Sequence, residues 1–113
     1  QYLVVGSTTL LGQIANEPLE IPLTSIQNGD PDAVGLFSGN TLVDVLSYGG
    51  SVTMGMVTGI GTFNFVEGTA TTVKDTGASA ASMVRLPNGA DTDNAMADWA
   101  LTTTPTPGGA NVP

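Results

Sequence analysis

Short apolar runs separated by turn residues make up the first half of the chain. Residues 2–6 have the pattern of a buried strand, and residues 19–23 alternate apolar and polar side chains. Pro22 cannot donate to a ladder, so the second run is predicted to be an edge strand or a hydrophobic loop. Residues 33–37 and 42–48 flank Ser38-Gly39-Asn40-Thr41, a pattern typical of a β-hairpin.

The second half of the chain is less regular. Residues 51–81 are rich in Gly, Thr and Ala, which predicts a long surface excursion with one short strand near residues 62–66. Residues 82–87 and 95–101 predict two further strands, and residues 7–18 and 28–32 predict loops and turns. Residues 102–113 have linker composition, so the predicted domain covers residues 1–101.

These elements amount to about six short strands with turns every 8 to 12 residues or so, and no convincing helix. The fold class expected from them is all-β, a β-sandwich. We expect its core to contain five apolar side chains: Leu36, Val43, Val45, Leu86 and Trp99. The sequence opens inside an apparent core strand, which predicts that it starts in mid-domain.

Length and charge narrow the possible function. The chain has 113 residues, enough for one domain, and is 41% hydrophobic and 11% charged, unlike a disordered chain. Two cations stand against ten acidic residues, giving a net charge of −8. This balance argues against nucleic-acid partners and anionic membrane surfaces, and no apolar run is long enough to predict membrane insertion.

The sequence contains few sets of residues that could carry out catalysis. The chain has no histidine and no cysteine, so it holds no Ser-His-Asp set and no thiolate metal site. Glu17 and Glu20 are paired carboxylates of the kind that cleave glycosides, but no aromatic platform accompanies them. We therefore predict a protein that is not an enzyme.

The densest cluster of oxygen ligands lies at Asp91, Asp93 and Asn94, with Asp98 further along. Calcium takes six to eight such oxygens in flexible geometry, so these four residues are candidate calcium ligands, and calcium is the one candidate cofactor. The alternative is a turn in which Asp and Asn side chains bond to their own backbone. The same two interpretations apply to the acidic turn at residues 28–32.

We expect different environments for the two cations, Lys74 and Arg85. Lys74 lies in a Gly/Thr-rich loop and is expected to be a solvated charge; the alternative is an isopeptide bond to an asparagine. Arg85 alternates with Val84 and Leu86 on its strand and is expected to pair with an Asp at the sheet surface.

Three stretches in order resemble the lamin tail domain family. QYLVVG, residues 1–6, looks like the family's strand of Gly-Tyr-aliphatic-Val-Gly pattern. Residues 26–50 are similar to its "NGPDAVAL" strand, hairpin and "VVDxLSYEG" strand. Residues 82–111 are similar to its bacterial ending, with "NGxDTDxN", "xDF" and "PTPGxxN". The blocks span about half the chain, and Trp99 stands where the family usually has Phe.

The resemblance implies an immunoglobulin-like sandwich from a larger bacterial secreted or surface protein, hence an extracellular or cell-surface location. The function it implies is a non-catalytic accessory domain for adhesion or assembly. Two alternatives stand beside it: a subunit of an extracellular fibre or multi-chain assembly, and, more weakly, a processed fragment of a secreted nuclease or phosphatase.

The family's opening "EVxx…EFVELYN" and "GWxL" strands are absent, so the expected sandwich is incomplete without a partner strand. An incomplete sheet exposes an edge that recruits another strand. We therefore expect Tyr2, Leu3, Val4 and Val5 to pair with a second polypeptide, either the severed N-terminal part of the same protein or a neighbouring copy.

Overall fold

The chain is a small β-rich domain built from several small sheets. The computed structural model describes residues 2–15, 19–26, 29–77 and 80–113, and within these ranges eight strands form four two-stranded sheets with two single-turn helices. The predicted predominance of strands is confirmed. In the same ranges no helix has the length and apolar character needed to cross a membrane. The turn predicted at residues 16–18, together with Gln1, Glu17 and Asn28, lies outside the described residues.

The first sheet is parallel. Strand β1 (Leu3–Gly6) pairs with β2 (Leu19–Pro22), with Leu3 opposite Leu19 and Val5 opposite Ile21. Helix α1 (Thr8–Leu11) lies between them in sequence, where the sequence predicted only a loop. Ser7 caps this turn, since its Oγ accepts from the N–H of Leu10 at 3.2 Å.

The second sheet is the predicted hairpin, which is confirmed. Strand β3 (Asp32–Ser38) pairs antiparallel with β4 (Thr41–Tyr48), and Gly39 takes the positive φ of +59° that the two-residue turn requires. A bulge between Leu36 and Phe37 shifts the register. Buried Ser47 closes the end of the hairpin, where its Oγ donates to the carbonyl of Gly50 and accepts from the N–H of Val52, both at 2.8 Å.

The stretch predicted to hold one short strand contains two. Strand β5 (Gly55–Val57) pairs antiparallel with β6 (Gly61–Phe63), and the strand expected near residues 62–66 begins earlier and is shorter. Met54 and Met56 are both more than three-quarters exposed. Apolar residues thus occupy the exposed positions in and beside β5, so the sequence lacks the alternation of apolar and polar residues that identifies a strand.

The last predicted strand is only half correct. Strand β7 (Ser82–Arg85) pairs antiparallel with β8 (Trp99–Thr102), but residues 95–98 form the helical turn α2 (Ala95–Asp98). Long-range bonds fix this turn, because the N–H groups of Ala95 and Met96 donate to the carbonyls of Glu67 and Thr69 at 3.1 and 2.9 Å. Those partners are distant in sequence, so local propensity did not reveal the turn.

The core is small and centres on phenylalanine rings. Phe37 meets Phe63 and Phe65 edge-on, with ring centroids 5.1 and 6.4 Å apart. A Cβ on Gly35 would lie 2.7 Å from the ring of Phe65, so the close approach of β3 to this ring requires glycine. The buried apolar side chains are Val4, Leu11, Leu46, Phe65, Val84 and Ala95.

Two of the five predicted core residues are wrong. Leu36 is 57% exposed and Val43 is 60% exposed, while Val45, Leu86 and Trp99 are half-buried. Leu36 and Val43 do alternate with more buried neighbours, as strand residues should. The described chain places no element over Leu36 and Val43, so these apolar side chains of the hairpin stay open to solvent.

Candidate functional site

One edge of β1 is open. The N–H of Leu19 donates to the carbonyl of Tyr2 at 3.0 Å, and the N–H of Leu23 donates to that of Gly6 at 2.8 Å. Parallel pairing alternates along a strand, so these bonds direct the backbone of residues 2, 4 and 6 toward β2. The N–H and C=O groups of Leu3 and Val5 point the other way, where no strand of the described chain pairs with them. We call them the β1 free edge.

The same sheet carries an exposed apolar face. Four side chains share it because Leu3 pairs with Leu19 and Val5 with Ile21. They are between 42% and 55% exposed, whereas Val4, on the opposite face, is buried. Parallel sheets are normally covered on both faces, so an open one marks a surface that another element is suited to cover. We call Leu3, Val5, Leu19 and Ile21 the outer apolar face.

A cleft of about 760 Å³ runs along β1 and faces β7. Residues 2–5 and 83–85 line it consecutively. Side chains alternate across a strand, so consecutive residues line one cleft when the strand turns its edge toward it. We call this space the edge cleft. Its remaining walls come from Leu10, Asp44, Trp99, Asn111 and the chain segments at residues 88–89 and 106–109.

The edge of β7 that borders the cleft is also open along most of its length. The N–H of Leu86 donates to the carbonyl of Asp98 at 3.0 Å, so the antiparallel alternation directs Val84 toward β8 and directs Met83 and Arg85 away from it. The Arg85 carbonyl accepts from Asn111 Nδ2 at 3.2 Å. The C-terminal segment thus covers one end of this edge.

A second, smaller pocket adjoins the first. It has a volume of about 230 Å³ and is lined by Val34, Leu36, Val45 and Leu46 of the hairpin, with Asp44 and Trp99 shared with the edge cleft. The exposure of Leu36 follows from its position at this pocket. The two depressions form one largely apolar surface around Trp99.

Arg85 lies at the centre of an acidic cluster beside the cleft. Its guanidinium nitrogens lie 2.9 Å from Asp44, 3.3 Å from Glu67 and 3.2 Å from Asp91. The expected pairing with an Asp is confirmed, but the side chain of Arg85 is only 14% exposed and does not lie at the sheet surface. Burial raises the pKa of Glu67, and the neighbouring Asp91 raises it further, while Arg85 opposes both effects. We call these four residues the Arg85 cluster.

The structure gives two of the four predicted calcium ligands, Asp91 and Asp98, different hydrogen-bond partners. Asp91 Oδ1 accepts from the N–H of Asp93 at 3.2 Å. This bond matches the alternative interpretation, a turn in which an Asp side chain bonds to the backbone of the same turn. Asp98 is buried, and its carboxylate accepts from the N–H and the hydroxyl of Thr92 at 2.9 and 2.8 Å. Within the described part of the chain, the acidic oxygens that do converge within 4.8 Å belong to Asp44, Glu67 and Asp91, around Arg85. Calcium binding by Asp91, Asp93, Asn94 and Asp98 stays a prediction.

The remaining charged candidates lie apart from the cleft. Lys74 forms an ion pair with Asp30, and both side chains are more than 40% exposed, so the expected solvated charge has a partner. Asp32 accepts from the N–H of Gly29 at 2.6 Å, in the turn predicted at residues 28–32. Glu20 is exposed on β2, and its predicted companion Glu17 lies outside the described residues.

Sequence reasoning missed the β7 edge and two members of the Arg85 cluster. Asp44 gave one signal, since it is a carboxylate inside an apolar strand, a position that favours a cationic partner. Glu67 gave none, because it lies in a stretch without periodicity. No protein-family model, curated protein or solved structure matches this chain.

Proposed function

We propose that this chain is a non-catalytic accessory domain that associates with another polypeptide through its open strand pairs. The observation that carries the proposal is the β1–β2 sheet, which combines the outer apolar face with the β1 free edge. A sheet edge with unpaired backbone groups is a template for strand addition, and an adjoining apolar face adds a hydrophobic contribution to binding.

Unpaired buried polar atoms support the same proposal. Arg85 Nε, Asn94 Oδ1 and Trp99 Nε1 are buried without a hydrogen-bond partner in the described chain. Buried polar atoms are nearly always paired in complete native proteins. Trp99 and Arg85 both line the edge cleft, so two of these three unpaired atoms lie in residues next to the surface that the partner would cover.

The complete domain that we propose is an immunoglobulin-like sandwich of lamin tail type, with an extracellular or cell-surface location. The antiparallel hairpin and the β7–β8 pair, each with an exposed apolar side chain, are suited to become parts of two packed sheets once a partner strand joins. The location rests on the family resemblance of residues 1–6, 26–50 and 82–111.

The test of this function asks whether the outer apolar face is a binding surface or part of the core. We expect the triple variant Leu3→Thr, Val5→Thr, Ile21→Thr to keep the Tm of the parent chain, because about half of each side chain is already in solvent in the folded chain. We also expect it to bind less of the dye ANS, which reports exposed apolar surface. Thr keeps the β propensity of these positions.

Val4→Thr is the matched control in the same strand. Val4 is 8% exposed, so this variant should lower the Tm, since it places a hydroxyl in the core. A triple variant that loses as much Tm as Val4→Thr would contradict the proposal. Size-exclusion chromatography with light scattering adds the second distinction: the accessory domain is monomeric alone, whereas a fibre subunit assembles with itself.

A further inference from the structure

We infer that the edge cleft binds an extended peptide segment that carries apolar side chains at alternate positions and a lysine or arginine near the Arg85 cluster. The inference rests on the proposed function and identifies its site and its partner. The bound segment would pair with β1 on one side and β7 on the other. It would join two sheets into one of order β2, β1, segment, β7, β8.

Unpaired backbone groups border the edge cleft on both sides. The β1 free edge presents the N–H and C=O groups of Leu3 and Val5, and the β7 edge presents the N–H of Met83 and Arg85 and the carbonyl of Met83. Both edges border the same cleft. A strand between them satisfies donors and acceptors on both of its own sides, which no other kind of ligand does along its whole length.

The opposite edge of the sheet is protected. The register directs the backbone of Glu20 and Pro22 away from β1, toward the outer edge of β2. Proline lacks the N–H that a ladder needs, and an edge charge disfavours a further strand. Strand addition is therefore directed to β1 rather than to β2.

The side chains around the cleft favour an apolar segment. Trp99 and Leu10 line its walls, Met83 lies on β7, and the outer apolar face flanks it through Leu3 and Val5. Because side chains alternate across a strand, one face of a bound segment would contact these residues and the other would face solvent. An alternating sequence fits this environment.

The excess of negative charge beside the cleft favours a positively charged residue on the bound segment. The Arg85 cluster sets three carboxylates against one guanidinium, and the side chain of Asp44, which lines the cleft, is 36% exposed. A cation on the segment would offset this excess. A second copy brings no free cation, because Lys74 and Arg85 are the chain's two cations and both are in ion pairs. Two copies also carry −8 each. The partner is therefore a different segment.

A synthetic peptide tests the site directly. The probe is a short, fluorescein-labelled peptide of alternating valine and threonine with lysine at both ends, titrated with the full chain by fluorescence anisotropy. Heteronuclear NMR then follows amide exchange in the complex. We expect new protection at Leu3, Val5, Met83 and Arg85, and little change at Val4 and Val84, whose N–H groups already pair with β2 and β8.

Two matched variants locate the edge. Val5→Pro removes an N–H from the β1 free edge, and Glu20→Pro removes one from the outer edge of β2. We expect Val5→Pro to weaken peptide binding about tenfold and Glu20→Pro to leave it within about twofold. In case Val5→Pro unfolds the chain, a peptide N-methylated at alternate amides makes the same test from the ligand side and should also bind about tenfold more weakly.

Charge is tested with the same peptide carrying glutamate in place of lysine. We expect weaker binding than for the lysine peptide, with the difference shrinking as salt rises. Equal binding of the two peptides would overturn the charge requirement. Absence of peptide binding, or protection confined to the β3–β4 hairpin, would overturn the site, and a chain that dimerises through Leu3 and Val5 would overturn the choice of partner.

These failures differ from failure of the proposed function. If the triple variant of Leu3, Val5 and Ile21 keeps its Tm and loses ANS binding while the peptide does not bind, the accessory surface stands and the strand-addition site is wrong. If the triple variant loses as much Tm as Val4→Thr, the proposed function fails as well.

Discussion

The guanidinium of Arg85 lies over the indole ring of Trp99, with its carbon 5.3 Å from the ring centroid. The two residues are cross-strand partners in the β7–β8 register. The ring face attracts the cation, and Asp44, Glu67 and Asp91 bind it from the other directions. Arg85 thereby connects β4, β7 and the segments around residues 67 and 91, beside the cleft that we propose as the binding site.

Removal of Arg85 should destabilise the chain strongly. Arg85→Met leaves three carboxylates close together, and Glu67 among them is 11% exposed, so we expect a loss of about 3–5 kcal/mol in the free energy of unfolding. Urea denaturation measures it. Lys74→Met is the control, because its ion pair with Asp30 is exposed and should contribute about 1 kcal/mol or less. Similar losses in the two variants would contradict this account of the cluster.

Glu67 should make stability depend on pH. Its pKa is raised by burial and by Asp91, so the folded chain binds this proton more tightly than the unfolded chain does. Its contribution is therefore fully present below the ordinary pKa of a glutamate and is lost as pH rises through the raised value. Glu67→Gln mimics the protonated form.

We expect Glu67→Gln to be more stable than the parent chain near pH 7, and the difference to vanish by about pH 4. Urea denaturation across this range provides the measurement. A stability difference between Glu67→Gln and the parent chain that stays constant across this pH range would contradict the expectation. It would show that the Glu67 carboxyl titrates alike in the folded and unfolded states.

The contribution of Asp98 to stability should depend on pH in the opposite sense to that of Glu67. The Thr92 N–H lowers the pKa of the Asp98 carboxyl, against the effect of burial, with the Thr92 hydroxyl and Asn94 N–H adding to it. This stabilisation is present above the ordinary pKa of an aspartate and is lost as pH falls through the lowered value. Asp98→Asn should therefore lower the Tm at neutral pH, and less so in strong acid.

Glu20→Gln, on an exposed strand, is the control for Asp98→Asn and should keep the parent Tm. Differential scanning fluorimetry at several pH values compares the three chains. An unchanged Tm for Asp98→Asn at neutral pH would mean that the bonds to Thr92 do not stabilise α2.

Calcium can be tested at the loop around residues 91–98. Arg85 and the N–H of Asp93 already bind Asp91, and Thr92 binds the Asp98 carboxylate. Calcium binding, which stays a prediction, would have to displace these contacts. If the ion binds, millimolar calcium should raise the Tm and Asp93→Ala should remove that rise, because an ion that binds the folded state raises its stability. The same Tm in calcium and in chelator would contradict the calcium site.

The sequence predicted those strands that are determined by residues close to one another in the chain. The hairpin was found from alternation on both sides of Gly39-Asn40, and β7 was found from its apolar run before Pro87. The strand at residues 19–22 was one of two predicted alternatives, and its parallel partner was not predicted. A parallel pairing has no turn between its strands to reveal it in sequence.

Features that depend on residues far apart in the sequence were not predicted. The turn α2 depends on carbonyls at residues 67 and 69, and the exposure of Leu36 and Val43 depends on which faces of the hairpin are covered. Arg85 was expected to find an Asp, but its burial follows from three segments that converge on it. The edge cleft needs β1 and β7 side by side, which no local pattern indicates.

Amide hydrogen exchange of the isolated chain tests the open edge of β1 most directly. NMR resolves Leu3, Val4, Val5 and Gly6 individually, so neighbouring residues of one strand serve as mutual controls. We expect slow exchange at Val4 and Gly6, whose N–H groups pair with β2, and fast exchange at Leu3 and Val5. Protection of Leu3 and Val5 equal to that of Val4 and Gly6 in the monomer would show a closed edge and contradict the central claim.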